Sequence, residues 1–119
     1  MIFTGISKSF SLINEDQYNT IGTFWDEMER LYGLENLIGL GHRWSGNTIE
    51  YAIGWKHGNI PGHNFSIVLP DEGWTCVVGE TEHLKELYDA IYQAGALTYE
   101  IETFDTDGTY KILYYRSDN

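Results

Sequence analysis

Apolar residues recur along this chain at two periods, and each change of period marks the end of an element. Phe3 to Leu12 alternates loosely and predicts a strand. From Tyr18 the apolar positions fall at Ile21, Phe24, Trp25, Met28, Leu31 and Tyr32, one stripe at helical spacing. Asn14 stands where an N-cap belongs, with Gln17 three residues on as a capping box, and Gly33 closes the helix. Leu37 to Trp44 and Thr48 to Lys56 flank Ser45-Gly46-Asn47, a hairpin signal. In the second of these strands Ile49, Tyr51, Ile53 and Trp55 share a face. His57 to Asn64 holds Gly58, Pro61 and Gly62 and reads as an exposed loop. Phe65 to Leu69 is a short strand, Pro70 to Gly73 a turn, and Trp74 to Val78 the next strand.

Thr81 is expected to cap a second helix, with Glu82 at the positive end of its dipole. Leu84, Leu87, Tyr88, Ile91 and Ala94 form its stripe, and Gly95 ends it. Tyr99 to Asp105 follows as a strand. Asp107-Gly108 turns it into Tyr110 to Tyr115, and Arg116 to Asn119 is a polar tail.

The two halves of this order match. Trp25-Asp26 and Tyr88-Asp89 hold the same place in the two helices. Each helix ends in Gly and is followed by a strand, a Gly-containing turn and a strand. The chain therefore reads as one α+β domain over residues 1–119, built from duplicated strand–helix–strand–strand units. Half one covers about 1–57 and half two about 64–119, with an antiparallel sheet, two helices, and a pocket between the pseudo-symmetric halves.

Composition narrows the function. There are 7 Lys+Arg against 18 Asp+Glu, a net charge of −11, which argues against direct nucleic-acid binding and makes the surface attractive to cations. Met1 is followed by no basic n-region and apolar h-region, no apolar run is long enough to span a membrane, and the single Cys76 can form no internal disulfide. A cytoplasmic location without membrane association is the expectation. Cys76, in an apolar strand, is expected to be buried and inert. The four Trp, nine Tyr and five Phe can fill a core or build a ligand cage. His42, His57, His63 and His83 set no two on one helical turn, so no metal site is expected, and no cofactor motif stands out.

Candidate chemistry concentrates in Tyr99-Glu100-Ile101-Glu102-Thr103-Phe104-Asp105. Side chains alternate along a strand, so Glu100, Glu102 and Phe104 share one face and Tyr99, Ile101 and Thr103 the other. With Tyr99 and Ile101 packed under the helices, Glu102 and Phe104 would look out from the opposite side. Such a glutamate is either a solvated edge residue or the counter-charge of an apolar pocket.

The pattern resembles the GyrI-like family, also met as the effector-binding domain of AraC-type and MerR-type multidrug regulators. The residues that carry the resemblance are the early helix with Phe24-Trp25, then Ile49-Glu50-Tyr51, then Trp74 to Gly79. The helix from Leu84 to Tyr92 and the strand Ile101-Glu102-Thr103-Phe104-Asp105 complete it. This chain lacks the proline that usually precedes the apolar-Glu pair, and Tyr99 stands close to Glu102.

The resemblance implies a stand-alone binding module for amphipathic or lipophilic organic cations. Glu102, with Glu100 two residues earlier on the same face as the alternative, would be the acid in an aromatic pocket drawn from Trp25, Trp74, Tyr51, Trp55 and Tyr110. Some similar proteins hydrolyse electrophilic cyclopropane-bearing compounds, which would make Glu102 a general base. The founding member acts by contact with DNA gyrase, which would make this a protein-interaction module.

Overall fold

The computed structural model describes residues 1–95 and 97–117, so Asp118 and Asn119 of the expected polar tail lie outside the described residues. The strands are β1 (Ile2–Ser11), β2 (Leu37–Ser45), β3 (Thr48–Trp55), β4 (Phe65–Val68), β5 (Thr75–Glu80), β6 (Tyr99–Phe104) and β7 (Thr109–Tyr115). Helix α1 (Asp16–Tyr32) follows β1, and α2 (Leu84–Gln93) follows β5. Among the described residues the strands form one antiparallel sheet in the order β4-β1-β3-β2-β6-β7-β5. The α+β fold read from the sequence is therefore the fold found. No helix among the described residues is long and apolar enough to cross a membrane.

Leaving β4 aside, the sheet order is symmetric about the β2–β6 pair. Leu40 and Ile101 face each other at its centre. Leu40 pairs with Ala52 of β3, and in the other half Ile101 pairs with Leu113 of β7. On this register Gly39 and Gly41 of the first unit correspond to Glu100 and Glu102 of the second. The strand β4 falls outside the symmetry and adds to the edge of the first unit, antiparallel to β1. By strand pairing the two units thus part between Val68 and Thr75, not near residue 64.

Both helices lie on one face of the sheet. Phe24, Trp25 and Met28 of α1 pack on Leu37, Ile49, Tyr51 and Ile53, and Tyr88 and Ile91 of α2 pack on Tyr110 and Ile112. The other face buries Phe3, Leu40, Ala52, Leu69 and Ile101. Phe65 and Ile67 of β4, with Trp74, help to cover it. Strand β6 is consequently reversed from the expectation. Its Glu100 and Glu102 point under the helices, and Ile101 points to the other side. The expected orientation puts the more apolar set under the helices. Here both faces are covered, so apolar character does not decide which face they take.

Local signals were modified by what surrounds them. Asn14 does not cap α1: Ile13–Glu15 forms a 3-10 turn, with Asn14 and Glu15 at left-handed φ of 54° and 60° and no side-chain cap bond. An N-cap needs extended backbone angles, which Asn14 has not. Gln17 turns instead toward the cavity described below. Thr81 likewise opens a 3-10 turn, Thr81–His83, and its backbone N–H donates to the Gly108 carbonyl. Leu31, at the last turn of α1, is exposed although it continues the apolar stripe. Cys76 is exposed rather than buried, because β5 is an edge strand.

The chain turns a corner where β1 changes partners. Ile6 to Ser11 pair with β3, whereas Ile2 to Gly5 pair with β4. Gly54 and Gly5 make this approach possible, since a Cβ on Gly54 would overlap the backbone carbonyl of Thr4. Gly54→Ala is therefore expected to destabilise the protein by about 1–3 kcal/mol. Gly22→Ala, inside α1 with nothing within 4 Å of the new methyl, is expected to stabilise it by about 0.4–1 kcal/mol. Chemical denaturation of the two variants checks both signs.

Candidate functional site: a buried acidic pair in an aromatic cavity

Between the two helices, above β6, lies a cavity of about 500 Å³. Helix α1 contributes Gln17, Tyr18, Ile21, Trp25, Asp26 and Glu29, and α2 contributes Leu84, Tyr88 and Tyr92. Tyr51 of β3 and Glu100, Glu102 and Phe104 of β6 also line it. Gly22, Leu34 and Thr81, with Asp105, Thr106 and Gly108 from the turn after β6, complete the lining. No Lys, Arg or His is among these lining residues. Trp25 and Phe104 meet edge to face at 4.9 Å, and Tyr88 and Tyr92 are stacked at 5.8 Å.

Glu100 and Glu102 are 3 % and 5 % exposed, the two buried charged-type residues among the described ones. Their burial follows from strand alternation beneath the helices. Their room follows from β2, where the residues paired with them are Gly41 and Gly39. A Cβ on Gly39 would overlap the Tyr51 hydroxyl and come within 2.6 Å of Trp25. That glycine therefore lets two aromatic side chains converge on the acid.

A relay of hydrogen bonds holds Glu102. Trp25 Nε1–H donates to Tyr51 Oη at 2.9 Å, and Tyr51 Oη–H donates to Glu102 Oε1 at 2.5 Å. The Tyr88 hydroxyl donates to Glu102 Oε2. Glu100 has a weaker partner, the Tyr92 hydroxyl, which donates to its Oε2 at 3.2 Å. Short bonds to a carboxylate favour its charged form.

The electrostatics separate the two acids. Burial pushes Glu100 well above the usual carboxylate range, and the adjacent Glu102 charge pushes it the same way. Burial also raises Glu102, but the Tyr51 and Tyr88 hydroxyls pull it back. Glu102 is thus the acid that ionises first, and Glu100 the one that keeps its proton. Burial, and then the nearby carboxylates, raise Tyr51, Tyr88 and Tyr92 above the ordinary tyrosine value, so these hydroxyls stay protonated donors. Tyr18 is pushed up to about 12 by burial first and by Asp89 and other acids next.

Of the residues expected to form the site, Trp25, Tyr51 and Glu102 come together in one hydrogen-bonded chain. Trp74 does not join them. It packs with Tyr99 and Tyr115 on the opposite face of the sheet, and its indole N–H donates to the Pro70 carbonyl at 2.8 Å. Ile101, beside which it packs, is next in sequence to Glu102, so the two face opposite sides. Trp55 shares the face of Tyr51 but stands four residues further along β3, about 13 Å away. There it meets Tyr32 edge to face, in a separate groove with Asn36, Lys56 and His57. Tyr110 is sealed beneath α2 with Tyr88, Ile91 and Ile112 and does not line the cavity.

Tyr18, Tyr88, Tyr92 and Phe104 line the cavity without having been singled out as binding residues, and Glu100, the alternative to Glu102 as pocket acid, lines it beside Glu102. The signal for Tyr88 was its match with Trp25 in the duplicated pattern, since both residues reach the Glu102 relay. Tyr92 follows one turn later on the same helix face.

Elsewhere Glu80, Glu82 and His83 bring their ligand atoms within 4.8 Å of one another, but all three are exposed. This is an ordinary surface ion-pair cluster that His83 completes when protonated.

Compared with known proteins, the chain matches no family model, no curated protein and no solved structure.

Proposed function

We propose that the protein is a binding module for amphipathic or lipophilic organic cations, held in the aromatic cavity against Glu102. One observation carries this reading: a buried carboxylate pair lies in an aromatic cavity lined by no basic residue. A carboxylate in low dielectric strongly favours a counter-charge. The tyrosine hydroxyls solvate the Glu102 charge but do not neutralise it. A delocalised organic cation neutralises it and loses little hydration in doing so. Ring faces add cation–π attraction of roughly 0.5–2 kcal/mol for each good contact. The aromatic side chains are already packed against one another, which limits the ordering cost of binding.

The resemblance to GyrI-like effector-binding domains belongs to the same proposal, without direct contact to nucleic acid. A cytoplasmic location is part of the reading, supported by an exposed single cysteine that would suit a reducing compartment.

The acids themselves favour a second reading. Two carboxylates whose proton affinities are pushed apart can serve as acid and base. Hydrolysis of an electrophilic, cyclopropane-bearing small molecule, with Glu102 as general base, would use them so. It ranks second because both Glu102 oxygens already accept tyrosine hydroxyls, which lowers their basicity. Product analysis after incubation separates the two, since a binder returns its ligand unchanged.

The test is titration with a cationic aromatic dye and a neutral dye of the same shape. The cation is expected to bind the more tightly and to quench Trp25 fluorescence. Equal affinity for the two dyes would overturn the proposal.

A further inference from the structure

The cavity floor carries two acids, and organic monocations need only one. Glu100 and Glu102 are alternate residues on β6, so their side chains leave the same face from backbone positions about 6–7 Å apart. The cross-strand positions opposite them are glycines, so no side chain from β2 stands between either acid and the cavity. We propose that Glu100 is a second ligand carboxylate, and that the site takes organic dications whose two charged nitrogens lie about 6–7 Å apart. This rests on the reading of the cavity as a cation site and deepens it to a class of ligand.

The groups around Glu100 fix how it must act. Tyr88 and Tyr92 face it from α2 and Tyr18 from α1. Tyr114 pairs with it on β7, Gly41 on β2, and Glu102 is its neighbour on β6. None of these supplies positive charge. The two bases nearby are engaged elsewhere. Arg116 lies over the Tyr114 ring and donates to the Ile91 carbonyl, and Lys85 pairs with Glu15 and Asp89. Two bare carboxylates at this spacing repel, and burial with the Glu102 charge pushes Glu100 well above the usual carboxylate range, so Glu100 is the acid of the pair that holds its proton the more tightly. A monocation neutralises Glu102 and leaves the Glu100 proton in place. A dication needs both carboxylates ionised: the Glu100 O–H bond breaks, its proton leaves to solvent, and two charges then face two. Binding of a dication is therefore coupled to release of one proton more than binding of a monocation.

The experiment uses p-xylylenediamine, whose ammonium groups match the separation of the acids, and 4-methylbenzylamine as the monocation of the same shape. Calorimetry in buffers of different ionisation enthalpy counts the protons released. In the wild type the diamine is expected to release one proton more than the monoamine. The ratio of their affinities should rise about tenfold per pH unit while Glu100 holds its proton in the empty site. In Glu100→Gln, a near-isosteric change, the proton difference should vanish and the ratio should become flat. A flat ratio in the wild type, or a diamine advantage that survives Glu100→Gln, overturns the two-acid site. So does failure of the diamine to bind. If the cationic dye still binds more tightly than its neutral analogue, the parent reading survives that failure. If the dye shows no preference, both fall.

Discussion

Glu102→Gln is expected to abolish most of the affinity for a lipophilic monocation while leaving the fold in place. The glutamine fits the relay. Its amide oxygen can accept from Tyr51, whose own oxygen already accepts from Trp25, and its NH₂ can donate to the Tyr88 hydroxyl once that rotates. What is lost is the charge. Removing one partner of a desolvated charge pair commonly costs about 2–5 kcal/mol, a loss of about thirtyfold or more in affinity. A neutral dye of the same shape should bind as well as before, or better, because the variant no longer buries a charge. Glu100→Gln is the control and should leave the monocation bound. Dye titration of the three proteins reads all these outcomes, and an unchanged cation affinity in Glu102→Gln would show that this glutamate is not the counter-charge.

The ligand-free protein is expected to lose stability as the pH rises from mildly acidic to neutral. Glu100 and Glu102 both bind protons more tightly folded than unfolded. Their contribution is complete below the unfolded value of 4.5 and is lost as pH rises through the folded values. Each proton of difference changes stability by about 1.4 kcal/mol per pH unit in that window. Asp71, Asp107 and His42 act in the opposite sense: the lowered values of the two aspartates confine them to the range below 3.8, and His42, lowered by burial, acts below 6.5 and is common to wild type and variant. General repulsion at a net charge of −11 also grows with pH, and it acts on every variant alike. Thermal melts of wild type and Glu100→Gln from pH 5 to pH 8 isolate the pair. The wild-type curve should fall more steeply, and a saturating cation should flatten it. Parallel curves for the two proteins would mean that Glu100 holds no extra proton in the folded state.

The order of elements was legible because each ends in strong punctuation. Gly33 and Gly95 stop the helices, and the turns at Gly46-Asn47 and Asp107-Gly108 fold the hairpins. Trp25, Tyr51 and Glu102 were gathered by their positions in the family pattern the chain resembles, since no local periodicity demands that they meet. The misplacements of Trp74 and Trp55 have a different origin. Alternation says which residues share a face, but not which face meets the helices, nor how far along the strand the cavity reaches. Trp74 was lost to the first uncertainty and Trp55 to the second. The strand β4, too short and too apolar to declare a partner, was assigned to the wrong unit. The capping signals at Asn14 and Thr81 failed because a 3-10 turn precedes each helix, and sequence at a helix entrance does not distinguish the two geometries.

Repeated halves ordinarily produce repeated sites, and a site astride a two-fold axis would offer a ligand two equivalent ways in. Here the exchange of Gly39 and Gly41 for Glu100 and Glu102 removes that equivalence. One unit supplies the charge; the other supplies the vacancy into which Tyr51 and Trp25 lean. An unsymmetrical ligand would then have a single favoured orientation, with its charged end toward β6, and the stoichiometry would be one ligand per chain although the scaffold is doubled.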